Sequence, residues 1–235
     1  NLDGSKSFNV AHGTVTVDQN GQVTYKPADN YSNYDGSLTT SPDTFKVLVT
    51  DDSGQTTTTN VTVNVNPVAD APNLAVVDDE VETPEDTAVS LGLTTPGVTD
   101  NTDQNGNTTT GDSPERLGVI SLSGILAGAA LLSGTDATLF TSNGGNISIW
   151  LTDVNHPTDE TKPANALEMT SAEFEALKVL PPAESHANFT VTVSVTSYEV
   201  NDSGTKVSGV NGATSTATVV VNVQAVTDGI DLKIS

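Results

Sequence analysis

The sequence predicts an all-β protein built from two β-sandwich modules in tandem. Two observations carry this. Period-two alternation of β-branched and polar residues recurs along most of the chain, and each of two regions ends in the same exit sequence.

The alternating runs come first. They are Gly13 to Asp18 (GTVTVD), Gln22 to Pro27 (QVTYKP), Phe45 to Asp51 (FKVLVTD) and Asn60 to Pro67 (NVTVNVNP), followed by Ile147 to Asp153 (ISIWLTD), Phe189 to Tyr198 (FTVTVSVTSY) and Ala217 to Gln224 (ATVVVNVQ). Val and Thr at period two describe strands with one buried face. Asp18 to Gly21 (DQNG) separates two such runs and predicts a hairpin turn. One segment departs from the pattern. Thr170 is followed three residues later by Glu173, and Phe174, Leu177 and Leu180 then recur at helical spacing, which predicts a short capped helix.

The repeat divides the chain. Asn64, Val65, Val68, Asp70 and Leu74 recur as Asn222, Val223, Val226, Asp228 and Leu232, and Asp52-Ser53-Gly54 recurs as Asp202-Ser203-Gly204. Each module therefore ends in a strand, an Asp-Ser-Gly turn, a last strand and an Asp-bearing exit. The boundaries are 1–69 and 70–235, with a linker near Pro67 to Asn73 stiffened by Pro67 and Pro72. The first module holds too few strands for a complete sandwich. Its opening strands are expected earlier in the parent chain, either adjacent or split off by an inserted domain. The second module carries a long polar insertion, Asp100 to Glu115.

Composition bounds the chemistry. The 235 residues carry 30 Asp plus Glu against 8 Lys plus Arg, a formal charge of −22. Such a surface repels phosphate backbones and anionic lipid, so neither nucleic acid nor a membrane surface is an expected partner, while cations are attracted. There is no cysteine, which removes disulfides and thiolate metal sites. Five Phe, four Tyr and one Trp make aromatic packing sparse, so a bound hard cation is the expected staple. No apolar run is long enough to span a bilayer. His12, His156 and His186 lie near turns and show no metal-ligand or triad spacing. His156 is expected to be a solvated loop residue, and Trp150 a core residue. No nucleotide-binding loop is present, and no enzyme activity is expected.

Several of these residues carry a family resemblance. His12 to Tyr31, Asp43 to Gly54 and Val61 to Pro72 resemble the cadherin-like repeats of bacterial surface proteins. Thr83 to Leu93, Asp100 with Asp103, Glu115 to Gly134 and Leu167 to Pro182 resemble the Ig-like extender modules of giant repeats-in-toxin (RTX) adhesins. The resemblance implies an Ig/cadherin-like fold with a short calcium-binding linker, in a type I secreted protein at the bacterial cell surface. It implies calcium (Ca2+) held at module junctions. Carried over by motif, the ligands are Asp52, Asn66, Asp70 and Glu85 at the linker, Asp100 and Asp103 in the insertion, and Asp202 and Asp228, with Asp231 as a further candidate, at the next junction. Asn66 stands where animal cadherins usually carry Asp.

The physical case runs beside this. Calcium takes about six to eight hard oxygens. Uncompensated carboxylates about 4 Å apart repel by about 4 kcal/mol per pair at an effective dielectric near 20, and a divalent ion reverses that sign. The expected partners are neighbouring modules of the same monomeric chain, with a host or surface glycan or protein engaged through other regions. The function implied is a rigid extender for cell adhesion or biofilm formation. A calcium-dependent glycan- or peptide-binding module, using the Asp100 to Glu115 insertion, is the alternative.

Overall fold

The computed structural model describes residues 6–33, 42–100 and 113–227, and their regular secondary structure is strand throughout but for one short helix. In the N-terminal region β1 (Lys6–Val10), β2 (Gly13–Val17) and β3 (Val23–Pro27) form an antiparallel sheet in that order. A second ladder pairs β4 (Asp43–Thr50) with β5 (Thr56–Val63) across eight residues. The alternation predicted all but β1 of these strands. Phe45 stacks on Tyr25 with ring centroids 6.0 Å apart, so the two ladders face each other.

The C-terminal region is a sandwich. One sheet has the order β11 (Thr138–Thr141), β10 (Ala130–Leu132), β14 (Lys178–Leu180) and β7 (Val89–Ser90). The other runs β13 (Leu167–Met169), β12 (Ile147–Leu151), β9 (Ile120–Ser123), β15 (Phe189–Glu199), β16 (Ala213–Gln224) and β6 (Glu80–Pro84), with β8 (Glu115–Leu117) also on β15. Leu131 and Val179 from the first sheet meet Ile120, Ile149, Val191, Val193, Val219 and Val221 from the second, all at most 1 % exposed. Among the described residues this core reaches back to Leu74 and includes none before it. Among the described residues, none of the sheets mixes strands from the two sides of the segment 64–79.

The capped helix is present as α1 (Ser171–Glu175), with Thr170 and Glu173 exchanging both capping-box hydrogen bonds. Leu180 lies beyond it in β14, because Lys178–Leu180 completes a ladder with β10. Trp150 is not a core residue. Ile149 and Leu151 take the buried phase of β12, so Trp150 points the other way and stacks on His156 at 3.7 Å. His156 is not a free loop side chain either. Its Nδ1 lies 2.7 Å from the Leu117 carbonyl and its Nε2 2.8 Å from the Leu151 carbonyl.

One turn design recurs at hairpin tips. Asp51 Oδ1 accepts from Ser53 N, Ser53 Oγ and Gln55 N at 2.9, 2.7 and 2.8 Å. Asn201 does the same for Ser203 N, Ser203 Oγ and Thr205 N at 3.0, 2.8 and 3.1 Å. Asp18 and Ser133 organise two more loops of this kind. A short polar side chain that satisfies backbone amides two and four residues on is what makes these residues turn formers.

Candidate functional site at the linker

The linker is stitched to the C-terminal sandwich from Asp70 onward. The Asp70 N–H donates to Glu115 Oε1, and the Asp70 carbonyl accepts from Ser197 Oγ. Ser215 Oγ donates to the Pro72 carbonyl at 2.6 Å, and Asn73 and Gly97 exchange both backbone hydrogen bonds at 2.7 and 3.0 Å. Pro67 and Pro72 are buried. This is a fixed joint on the C-terminal side.

At its centre is a carboxylate the sequence analysis did not single out. Glu115 is 1 % exposed. Thr99 Oγ1 approaches its Oε2 at 3.5 Å, and its N–H donates to the Asp100 carbonyl at 2.6 Å. Burial pushes its carboxyl above the ordinary range, and the negative charge of Asp70 adds to that, against the lowering effect of its backbone hydrogen bonds. Glu199 stands directly opposite on β15 in the β8–β15 register and is 7 % exposed, and Asp100 is 6 % exposed. Facing residues in a ladder lie about 5 Å apart at Cβ, and like charges there oppose each other. The signal for Glu199 was legible: it falls in the buried phase of the run containing Val191, Val193 and Val195. Glu115 was hidden, because its three-residue strand is too short to show a period.

The expected ligands divide among several places. Asp100 lies beside Glu115 as described. Asn66 is exposed and lines a crevice between Pro67 to Ala69 and the loop Ser208 to Asn211. Asp52 does not join Asp70. It is exposed on the turn between β4 and β5, and the carboxylate that builds that turn is Asp51, held low by the Ser53 and Gln55 hydrogen bonds. The eight residues of β5 separate that turn from the linker, about 26 Å at about 3.3 Å per residue.

Glu85 does not join Asp70 either. Its N–H donates to the Gln224 carbonyl at 2.8 Å, and its Oε1 accepts from the Val226 N–H at 2.6 Å. That is the end of β16, whereas Pro72 is bonded to Ser215 near its start. Glu85 follows the linker by only a short stretch of chain, but β6 runs parallel to β16 and carries the residue to the far end. Asp202 shows the converse. It sits on the turn after β15, at the end where Ser197 meets Asp70, and not at the next junction. Asp103, Asp228 and Asp231 lie outside the described residues.

Calcium fits the oxygen chemistry of Asp70, Asp100 and Glu115. Among the described residues, however, no three His, Asp or Glu side chains converge closely enough to hold an ion.

A second polar cluster binds the two N-terminal ladders. His12 Nδ1 lies 2.7 Å from Asp43 Oδ1, Tyr25 donates to Asp43 Oδ2 at 2.5 Å, and Tyr31 donates to Oδ1 at 3.1 Å. His12 stacks on Tyr31 at 4.5 Å. Burial pushes the Asp43 carboxyl up, but the His12, Tyr25 and Tyr31 hydrogen bonds outweigh it and hold it below the ordinary range. Burial, then Asp43, push the Tyr25 hydroxyl well above its usual range. The geometry of this group is that of a clasp between β2–β3 and β4.

Residues 2–64 match the bacterial Ig domain family. No curated protein matches the chain. Among solved structures, domains 4 and 5 of the S-layer protein SbsC share 15 % identity, covering 94 % of this chain and 94 % of that one, with a TM-score of 0.26. Human mucin-like protocadherin EC1-2 shares 19 %, covering 95 % of this chain and 86 % of that one, with a TM-score of 0.30. At such TM-scores neither superposition defines how this chain is arranged. The class defined by the fold is an all-β protein whose N-terminal part is similar to bacterial Ig domains. No helix among the described residues is long and apolar enough to cross a membrane.

Proposed function

We propose that this chain is an extender segment of a secreted bacterial surface adhesin: two tandem modules, 1–69 and 70–235, that hold a ligand-binding region away from the cell. The observation that carries this is the joint. The connector's backbone is bonded to Glu115, Ser197, Ser215 and Gly97 on its C-terminal side and at Val65 to Asn33 on its N-terminal side, an arrangement that suits a rigid spacer better than a flexible tether. The match of residues 2–64 to bacterial Ig domains and the acidic, cysteine-free composition support an extracellular setting, reached by type I secretion in this reading.

In the same proposal calcium stiffens the joint, with Asp70, Asp100 and Glu115 as donors and Asp103 from the adjoining segment. Glu85 belongs with Asp228 at the following junction. Calcium in extracellular modules commonly binds with Kd about 10⁻⁴–10⁻³ M, so such sites fill outside the cell and stay empty in the cytosol. Binding to the folded state alone adds about 2.7 kcal/mol per site at a hundredfold excess over Kd. Small-angle scattering with calcium and with EGTA, beside calorimetric titration, is the test. An unchanged maximum dimension and interdomain flexibility, with no ion titrating, rejects calcium stiffening. A glycan or peptide array that shows chelator-sensitive binding rejects a purely structural role.

A further inference from the structure

The repeat allows a position-by-position comparison of β5 with β16, and it exposes a missing neighbour. The two strands correspond as Val61, Val63 and Val65 to Val219, Val221 and Val223. On the inner-ladder side the correspondence extends to hydrogen bonds: Val65 N–H donates to Asn33 Oδ1 at 2.7 Å, and Val223 N–H donates to Asn188 Oδ1 at 2.8 Å. On the other side it fails. β16 is covered by β6, which runs parallel to it in the register Val220↔Glu80, Val221↔Val81, Asn222↔Glu82, Val223↔Thr83 and Gln224↔Pro84, and Glu85 then closes on the Val226 N–H. Among the described residues β5 pairs with β4 alone, and the amides of Asn64, Asn66 and Val68 make no hydrogen bond.

The cores differ accordingly. Val219, Val221 and Val223 are 0, 0 and 7 % exposed, while Val61, Val63 and Val65 are only half-buried. Nearby, Phe8, Val10, Val15, Val17, Phe45 and Val47 line a cleft of about 370 Å³ between the two ladders. Phe8 and Leu48 remain 54 % and 64 % exposed.

We propose that the outer edge of β5 is a strand-acceptor site: it takes one further strand of the same polypeptide, carried ahead of β1 and running parallel to β5 against Thr62 to Asn66. An apolar side chain of that strand covers Val63, and an acid just beyond it accepts the Val68 N–H as Glu85 accepts that of Val226. The occupant belongs to the same polypeptide because β6, its counterpart, opens the unit it completes. Backbone hydrogen bonds supply affinity and the alternating side chains supply register, as in other strand additions.

The test fuses a second copy of Val76 to Ser90 ahead of Asn1 through a flexible Gly-Ser linker and follows amide hydrogen exchange in the full chain. Exchange at Asn64, Asn66 and Val68 is expected to slow at least tenfold. Changing the donor Val81→Asp should abolish the effect, and changing the donor Glu85→Gln should release Val68 alone; neither alters the acceptor. Asn64→Pro, at an edge position whose N–H points outward, should also abolish it while the unfused variant melts like the parent. Unchanged exchange at the three amides overturns the proposal, as does protection that survives Val81→Asp. So does an unfused chain that dimerises with these amides already protected, since a second copy would then be the occupant.

Discussion

β5 and β16 are nearly the same strand in two environments. Both present valines at alternate positions, both are capped by an Asn side chain at the same register, and both follow a Ser-Gly turn organised by a side-chain oxygen. Among the described residues β16 has neighbours on both edges and buried valines, whereas β5 pairs with β4 alone and its valines are half-buried. The difference teaches that alternation specifies which face of a strand is apolar but not whether that face is buried. Burial is a property of the neighbours. The N-terminal region answers the shortage with polar cross-links, chiefly the Asp43 clasp, where the C-terminal region uses a contiguous hydrophobic core.

Matched truncations give the largest expected effect. Val221→Ala removes two methyls from a fully buried site and should cost about 2–3 kcal/mol, combining transfer and cavity costs. Val63→Ala, at the same repeat position, should cost under about 1 kcal/mol because water already reaches the site. Urea denaturation of the two variants measures both, and equal losses would show that the N-terminal valines are as well packed as their counterparts.

Asp43→Ala should come next, lowering stability of the N-terminal region by about 2 kcal/mol, since it leaves two hydroxyls and a histidine without their common acceptor. The denaturation profile should show an early transition, with the C-terminal sandwich unaffected. The clasp also has a pH signature. Because the folded Asp43 pKa is lowered from 3.8, its contribution is present above that value and is lost as pH falls through the lower, folded one. Acid titration of the parent should therefore loosen the N-terminal region, and Asp43→Asn should flatten that response.

Glu115→Gln tests the joint, with opposite signs in two conditions. A Glu whose folded pKa is raised from 4.5 is destabilising when ionised, so stability falls as pH rises from 4.5 through the folded pKa. In EGTA at neutral pH the variant should melt a few degrees higher than the parent, since about 1 kcal/mol shifts Tm by about 2–4 °C in domains of this size. In calcium the order should reverse. If Glu115→Gln lowers Tm in EGTA, its carboxylate is serving the linker as a hydrogen-bond acceptor more than it costs by burial.

The smallest effect is expected at the turns. Asp51→Ala and Asn201→Ala each remove the oxygen that organises one hairpin tip, and both should lower Tm slightly and by similar amounts. A much larger loss at Asn201 would mean that its turn, close to the Ser197–Asp70 contact, also supports the joint.

The sequence alone determined what local chemistry decides. Period-two Val and Thr runs became strands, the Thr170–Glu173 pair became a capping box, Asp18 became the pivot of a hairpin, and the repeated Val-Asn-Val segment lies in or just after the last described strand of each region. Short strands such as β8 and β10 carry too few residues to show a period. The grouping of acids was also beyond a linear reading. Asp52, Asp70 and Glu85 look like one set because the chain passes them in order, yet β5 carries Asp52 away from the linker and the parallel β6–β16 ladder carries Glu85 to the far end of β16. Glu115 and Glu199 are separated by 84 residues of chain and meet only because β8 and β15 pair in a register that sets them opposite. Trp150 faced outward for a related reason: its phase on β12 was visible, but the sign of that phase is set by which side the second sheet covers. Local geometry repeats every two residues and can be read along a chain, whereas strand direction, register and the choice of facing sheet depend on contacts between distant segments, and those decide which side chains share a site.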